Sequence, residues 1–279
     1  MKKISGGTYT GERALFSLSD TYIENAIFND GESPLKESKN LDIYKTRFEW
    51  KYPLWYCSHV KVNDSVLTET ARSGIWYTDD IEITNSVIDA PKTFRRASNI
   101  KLSNVSILNA QETLWNCKNI LMKDVKVKGD YLGFNSENVE IDNLYLDGNY
   151  AFDGGKNIVI KNSTLISKDT FWNAENVTLI NCKIIGEYFS WNSKNITLIN
   201  CEVESNQGFC YMKNVKLVDC ILKNTFLCFE FCEDIDATIL NEVDSIKNPT
   251  SGVIRVKGVK ELILEDEFCD KEKTKIIIS

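Results

Sequence analysis

The chain has 279 residues, 26% of them charged and 43% hydrophobic, a balance typical of a soluble globular protein. A net charge of −7 argues against a broad phosphate-binding face, so no nucleic-acid partner is expected. No run of about 18 apolar residues exists, so no membrane partner is expected either. The opening MKKISGGTYTGERALF lacks the apolar stretch of a secretory signal, which points to the cytoplasm.

In chain order, residues 1–19 carry no obvious period and read as an N-terminal cap. From residue 20 to residue 240 one pattern returns. Its apolar starts are Leu41, Val60, Ile81, Ile100, Ile120, Val139, Ile158, Val177, Ile196, Val215 and Ile235, each 19 to 21 residues after the last. With each start as position zero, apolar residues recur at zero and two, the alternation of a strand with one buried face. Position four is Asn or Asp in most units, as at Asn85, Asn104, Asn181 and Asn200, which reads as a turn. A second strand points inward at five and seven, as in Cys182 and Ile184. A third inward position lies six before the start, as at Phe94, Leu114 and Phe171.

Each unit is therefore three short strands and three corners. A single unit cannot bury its inward face, so like positions must stack on neighbouring units. The expected fold is all-β: one single-stranded parallel β-helix domain of three sheets and about eleven coils of 19–20 residues. Right-handedness is expected because the coil exceeds the 18 residues of left-handed hexapeptide helices (here 19 to 21). Residues 241–279 break the period and read as a C-terminal cap.

The position before the start is the clearest corner: Asn99, Asn119, Asn138, Asn157, Asn176, Asn195 and Asn214. Stacked amides there can bond from coil to coil. A partial second column holds Asn116, Asn135, Asn173 and Asn192. The lone histidine, His59, stands in the first column and reads as a corner residue. Nine cysteines without CxxC pairs read as reduced, buried thiols, so neither metal nor cofactor is expected.

The row five before the start is the exception to this architecture. It holds Trp55, Trp76, Arg95, Trp115, Phe134, Asp153, Trp172, Trp191, Cys210 and Glu230, and alternation points it outward. Outward tryptophans repeated once per coil are platforms on which sugar rings stack. Just upstream run charged and hydroxyl side chains, among them Arg72, Lys92, Glu112, Lys168, Asp169 and Glu187. Glycoside chemistry needs two carboxyls about 5–5.5 Å or 6.5–9.5 Å apart, and stacked coils offer both separations. Glu112 with Asp153, or Asp169 with Glu187, are the candidate catalytic pairs. Lys92, Arg95 and Lys168 are candidates for lyase chemistry, and with Arg72 for orienting an acidic or polar substrate. Trp55, Trp76, Trp115, Trp172 and Trp191 are the candidate sugar platforms. The competing reading has the tryptophans packing on each other as ladders.

The coil pattern resembles the pectin-lyase-like superfamily of right-handed parallel β-helices. The phrases GESPLKES (31–38), KYPLWY (51–56), SGIWYTDD (73–80), APKTFRR (90–96), ETLWN (112–116), SKDTFWN (167–173) and GEYFSWNS (186–193) are similar to an uncharacterised bacterial β-helix family sometimes labelled hydrogenase. That resemblance implies the fold and carries over no activity and no catalytic residue. Cysteines in strand columns do not supply the ligand sets of nickel–iron or iron–iron centres. The calcium-binding aspartates and the arginine of pectate lyases have no counterpart either. The expected function is carbohydrate binding or cleavage, by a polysaccharide lyase or glycoside hydrolase mechanism, with an oligo- or polysaccharide as partner. The alternative is a non-catalytic scaffold that binds another protein or its own copy.

Overall fold

The computed structural model describes residues 1–269 and 272–278. The chain divides into two compact units, Met1–Tyr145 and Leu146–Ser279, and both are parallel β-solenoids.

In the first unit the strands Lys2–Ser5, Ser19–Glu24, Lys39–Tyr44, Ser58–Asn63, Asp79–Thr84, Ser98–Ile107 and Lys118–Lys128 pair in parallel, each with the next. Register places like on like: Val60 beside Ile81, and Ile81 beside Ile100. Shorter strands such as Val66–Leu67 and Val87–Ile88 stack as a second column. Ile75–Trp76 and Phe94–Arg95 form a third. In the second unit Lys156–Lys161, Glu175–Ile180, Lys194–Ile199, Lys213–Lys223, Glu233–Ile239, Gly252–Val256 and Thr274–Ile278 repeat the main column.

The repeat runs further than its sequence period. Lys2–Ser5 joins the main column although Lys2 stands where other coils have an apolar start. Gly252 and Thr274 pair with Ile235 and Gly252 across intervals of 17 and 22 residues, which hides them from a 19-residue search. Segments 1–19 and 241–279 thus contribute strands of the same columns.

The core is the inward face of these columns. Ile81, Ile83, Ile100 and Leu102 fill the first unit and Val177, Leu179, Ile196 and Leu198 the second, all fully buried. Phenylalanines stack along the solenoid: Phe28 on Phe48 at 5.3 Å, Phe152 on Phe171 at 5.5 Å, and Phe209 on Phe229 at 5.4 Å.

Corners are built from residues in the left-handed region. Before the start, Asn99, Asn119, Asn176 and Asn195 have φ of 54°, 55°, 59° and 57°. Asn85 and Asn181, at position four, have φ of 49° and 53°. Asn, Asp and His accept this conformation far better than other side-chain-bearing residues, which explains the columns. The amides then bond along the solenoid. Asn119 Nδ2 donates to Asn99 Oδ1 at 2.9 Å, Asn176 to Asn157 at 2.9 Å, and Asn195 to Asn176 at 2.8 Å. His59 obeys the same rule, with φ of 53° and Nδ1 2.6 Å from Asp80 Oδ2. The partial Asn column four before the start is also left-handed, with Asn116 and Asn173 at φ of 52° and 53° and Tyr77 and Arg96 at 57° and 50°. So are positions six and eight before the start, as at Leu114 and Phe171 (59° and 61°) and Lys92 and Glu112 (56° and 52°), whose residue types do not announce a corner.

The cysteines are more than apolar filler. The Cys182, Cys201 and Cys220 thiols donate to the carbonyls of Ile180, Ile199 and Val218, two residues back. Ser65, Ser86 and Ser163 occupy the same position and donate to Asn63, Thr84 and Lys161 in the same way. Three before the start, Cys57, Thr78, Ser136 and Cys232 reach the carbonyls of Leu35, Leu54, Leu114 and Phe209 in the preceding coil. These columns select small side chains carrying a donor, and a thiol serves where a hydroxyl does.

All nine cysteines are buried thiols outside any disulfide. Burial pushes the Cys57, Cys117 and Cys210 thiols up to about 12. Thiolate, the reactive form, is therefore scarce at these three sites at neutral pH, while Cys201, lowered by its hydrogen bond with Cys182, is shielded by burial. The expected result is that the native protein is inert to a chromogenic disulfide reagent at pH ~8, where a free thiol is about a quarter to a half ionised, and that denaturation releases nine equivalents. Rapid labelling of the native chain would contradict this burial.

Candidate functional site

In the first unit the outer row reads Trp55, Trp76, Arg95, Trp115, Phe134, and the Trp115 and Phe134 rings lie 5.0 Å apart. The Trp55 and Trp76 rings lie parallel, 5.3 Å apart with 7° between planes. Arg95 takes the next place, its guanidinium carbon 4.7 Å from the Trp76 ring centre and 4.8 Å from that of Trp115. Every indole N–H is committed to backbone of the following coil. Trp55 donates to Ser73 O at 2.5 Å, Trp76 to Lys92 O at 2.8 Å, and Trp115 to Tyr131 O at 2.7 Å. The positively charged guanidinium is attracted to both ring faces and substitutes for an indole in the stack.

Glu112 is clamped by cations. Its Oε2 accepts from Arg95 Nη2 at 3.1 Å and lies 3.0 Å from Lys92 Nζ. Arg95 Nε is buried without a partner. Arg72 is exposed, and its carbonyl accepts from the Tyr52 N–H at 3.3 Å.

In the second unit the row reads Asp153, Trp172, Trp191, Cys210, Glu230, and the last two are buried where alternation expects them outward. The two indoles stack at 5.9 Å and 13°. Their N–H groups donate to Tyr188 O at 3.2 Å and Gln207 O at 2.5 Å. Asp153 Oδ1 accepts from Asn173 Nδ2 at 3.1 Å. Lys168 Nζ stands 3.7 Å from Glu187 Oε2 and 5.4 Å from the Tyr188 ring centre.

Asp169 differs from every other acid of the row. It is 5% exposed, sits at a left-handed corner with φ of 54°, and makes no side-chain hydrogen bond among the described residues. Desolvation raises its carboxyl above the usual range, Lys168 opposes, and the charges of Glu187 and Asp153 add to the rise. The sequence pairing of Asp169 with Glu187 thus brings together neighbouring corners, joined through the Asp169 N–H to Glu187 O at 2.9 Å. The other pair does not fall in one unit: Glu112 belongs to the first and Asp153 to the second.

A raised carboxyl means that the folded chain holds this proton more tightly than the unfolded chain does. Stability from this group therefore falls as pH rises through its titration. Asp169→Asn removes the penalty. The expected result is a higher melting temperature for the variant at pH ~7 and no difference at pH ~2, below the ordinary carboxylate pKa of about 3.9. Equal melting at both pH values would contradict the burial of this charge.

Sequence reasoning missed two things here. Alternation showed that the row faces outward, and said nothing of what covers the ring faces. Nor did it separate Asp169 from its neighbours, because burial at a corner depends on the side chains of the adjoining coils.

Fold and row together define a parallel β-solenoid whose outer aromatic row is built into the scaffold. The chain belongs to the family described as protein of unknown function (DUF3737), whose model matches residues 2–277. No curated protein matches it. Among solved structures it is similar to QnrB1, a plasmid-mediated fluoroquinolone resistance protein, at 11% identity and a TM-score of 0.32 over 72% of this chain and 92% of that one. HetL, a pentapeptide repeat protein of the cyanobacterium Nostoc, is similar at 9% identity and a TM-score of 0.25, over 83% and 89%. PfbA, a surface adhesin of Streptococcus pneumoniae, is similar at 13% identity and a TM-score of 0.34, over 94% and 81%.

Proposed function

We propose that the chain is a non-catalytic β-solenoid scaffold that docks another protein or a second copy of itself. One observation carries this reading: in the first unit the outer row is closed on itself. A sugar platform needs a free ring face and, commonly, a free polar edge. Here Trp76 is covered on one face by Trp55 and on the other by Arg95. Trp172 and Trp191 share a face, and all five indole N–H groups of the candidate platforms are bonded to backbone. Glu112 is held by two cations of the same row. The five indoles, Arg95 and Glu112 are thus engaged in holding coils together.

A second reading, carbohydrate cleavage on a pectin-lyase-like helix, is favoured by the neighbouring carboxylates Asp153 and Asp169, one of them raised. The test sets the two readings against each other. Purified protein is screened for depolymerisation of acidic and neutral polysaccharides. In parallel, in-cell crosslinking identifies a partner or a homo-oligomer, which is then reconstituted from pure components. The scaffold reading expects a stoichiometric complex and no turnover. Turnover by wild type that Asp169→Asn abolishes would overturn it.

A further inference from the structure

The outer row contains an internal template. In the first unit three stations meet: Arg95, five before its start; Trp115, one coil on in the same row; and Glu112, at the corner eight before that next start. The guanidinium lies on the Trp115 ring at 4.8 Å and donates to Glu112 Oε2 at 3.1 Å. In the second unit the same three stations hold Asp153, Trp172 and Asp169. Indole and corner carboxylate are kept. The cation is replaced by a second carboxylate.

That exchange leaves the station without a cation. Among the described residues no ring covers the face of Trp172 turned away from Trp191, and nothing donates to the Asp169 side chain, although the residue is only 5% exposed. Lys168, the nearest cation, is turned to Glu187 and the Tyr188 ring. A largely desolvated carboxylate without a donor is costly, and the described residues supply none; the oxygens of Asp169 keep an edge open to an incoming donor, since they are not among the fully buried unpaired atoms. Desolvation raises its carboxyl, Lys168 offsets part of that rise, and the charges of Glu187 and Asp153 add to it, as expected of an acid with no hydrogen-bonded cation.

We propose that Asp153, Asp169 and Trp172 form a cradle for the guanidinium of an arginine side chain presented by a partner protein. The inference rests on the scaffold reading and names the chemistry of its docking. Arginine fits better than lysine for geometric reasons. A planar guanidinium stacks on an indole while its edge N–H groups reach two carboxylates, whereas an ammonium is a compact and strongly hydrated point charge. Arginine in a desolvated pocket is also a frequent anchor of protein interfaces.

The test is a titration of the full chain, ¹⁵N-labelled at tryptophan, with the capped tripeptide acetyl-Gly-Arg-Gly-amide and its lysine counterpart. The arginine peptide is expected to shift the Trp172 indole resonance saturably, and the lysine peptide to bind roughly tenfold more weakly, a difference of about 1.4 kcal/mol. Asp153→Asn combined with Asp169→Asn abolishes the shift. Asp153→Arg fills the station from within, so it raises the melting temperature and also abolishes peptide binding. No shift in wild type, a shift that survives the double Asn variant, or a lowered melting temperature for Asp153→Arg would overturn the proposal. Such a failure leaves a reconstituted complex standing, whereas glycan turnover removes the scaffold reading itself.

Discussion

Phe171→Ala lowers the unfolding free energy by about 3–5 kcal/mol, the range for truncating a fully buried phenylalanine. Phe171 is 0% exposed, parallel to Phe152 at 5.5 Å and edge-on to Phe189 at 5.9 Å and 81°. Truncation removes both ring contacts and leaves a void that stacked coils cannot collapse to fill. Nor does alanine relieve the backbone, because the position has φ of 61° and a Cβ is disfavoured there whatever follows it. Urea unfolding measures the loss. A change below about 1 kcal/mol would show that the column is not close-packed.

Arg95→Ala carries the second large effect, expected at about 2–4 kcal/mol. Two ring faces each contribute on the order of 1 kcal/mol as cation–π contacts, and the bond to a partly buried carboxylate contributes a similar amount or more. Truncation also opens the stack between Trp76 and Trp115 and leaves Glu112 with Lys92 alone. Arg95→Trp retains more stability than Arg95→Ala, because an indole is what the row carries in the neighbouring coils. The comparison is made by thermal and urea unfolding of the three proteins. If Ala were as stable as wild type and Trp were not, the guanidinium would not be a member of the stack.

Much of the fold was legible because a solenoid writes itself into sequence once per coil. The apolar pairs such as Val177 and Leu179, and the Asn columns at Asn176 and Asn181, follow from alternation and from the left-handed corner. The corners at Lys92 and Tyr188 were not legible, since neither residue type favours φ near +57° and only the stacked neighbours impose it (56° and 58°). The hydrogen bonds of Cys182 and Cys201 were hidden because cysteine reads as a small apolar residue. The terminal strands were hidden by irregular loops. In the candidate site, the outward direction of Trp172 and Trp191 was readable. Their closure on each other was not, because both lie in turns beside left-handed Phe171 and Ser190, and the sequence pattern leaves the cross-coil neighbour to packing.

The central claim is that the outer tryptophans hold coils together. A double-mutant cycle on Trp172→Ala and Trp191→Ala, followed by urea unfolding, tests it most directly. Stacked rings 5.9 Å apart predict a favourable coupling of about 0.5–1.5 kcal/mol beyond the two single losses. Single variants as stable as wild type, with no coupling between them, would contradict the claim and return these tryptophans to the role of free binding platforms.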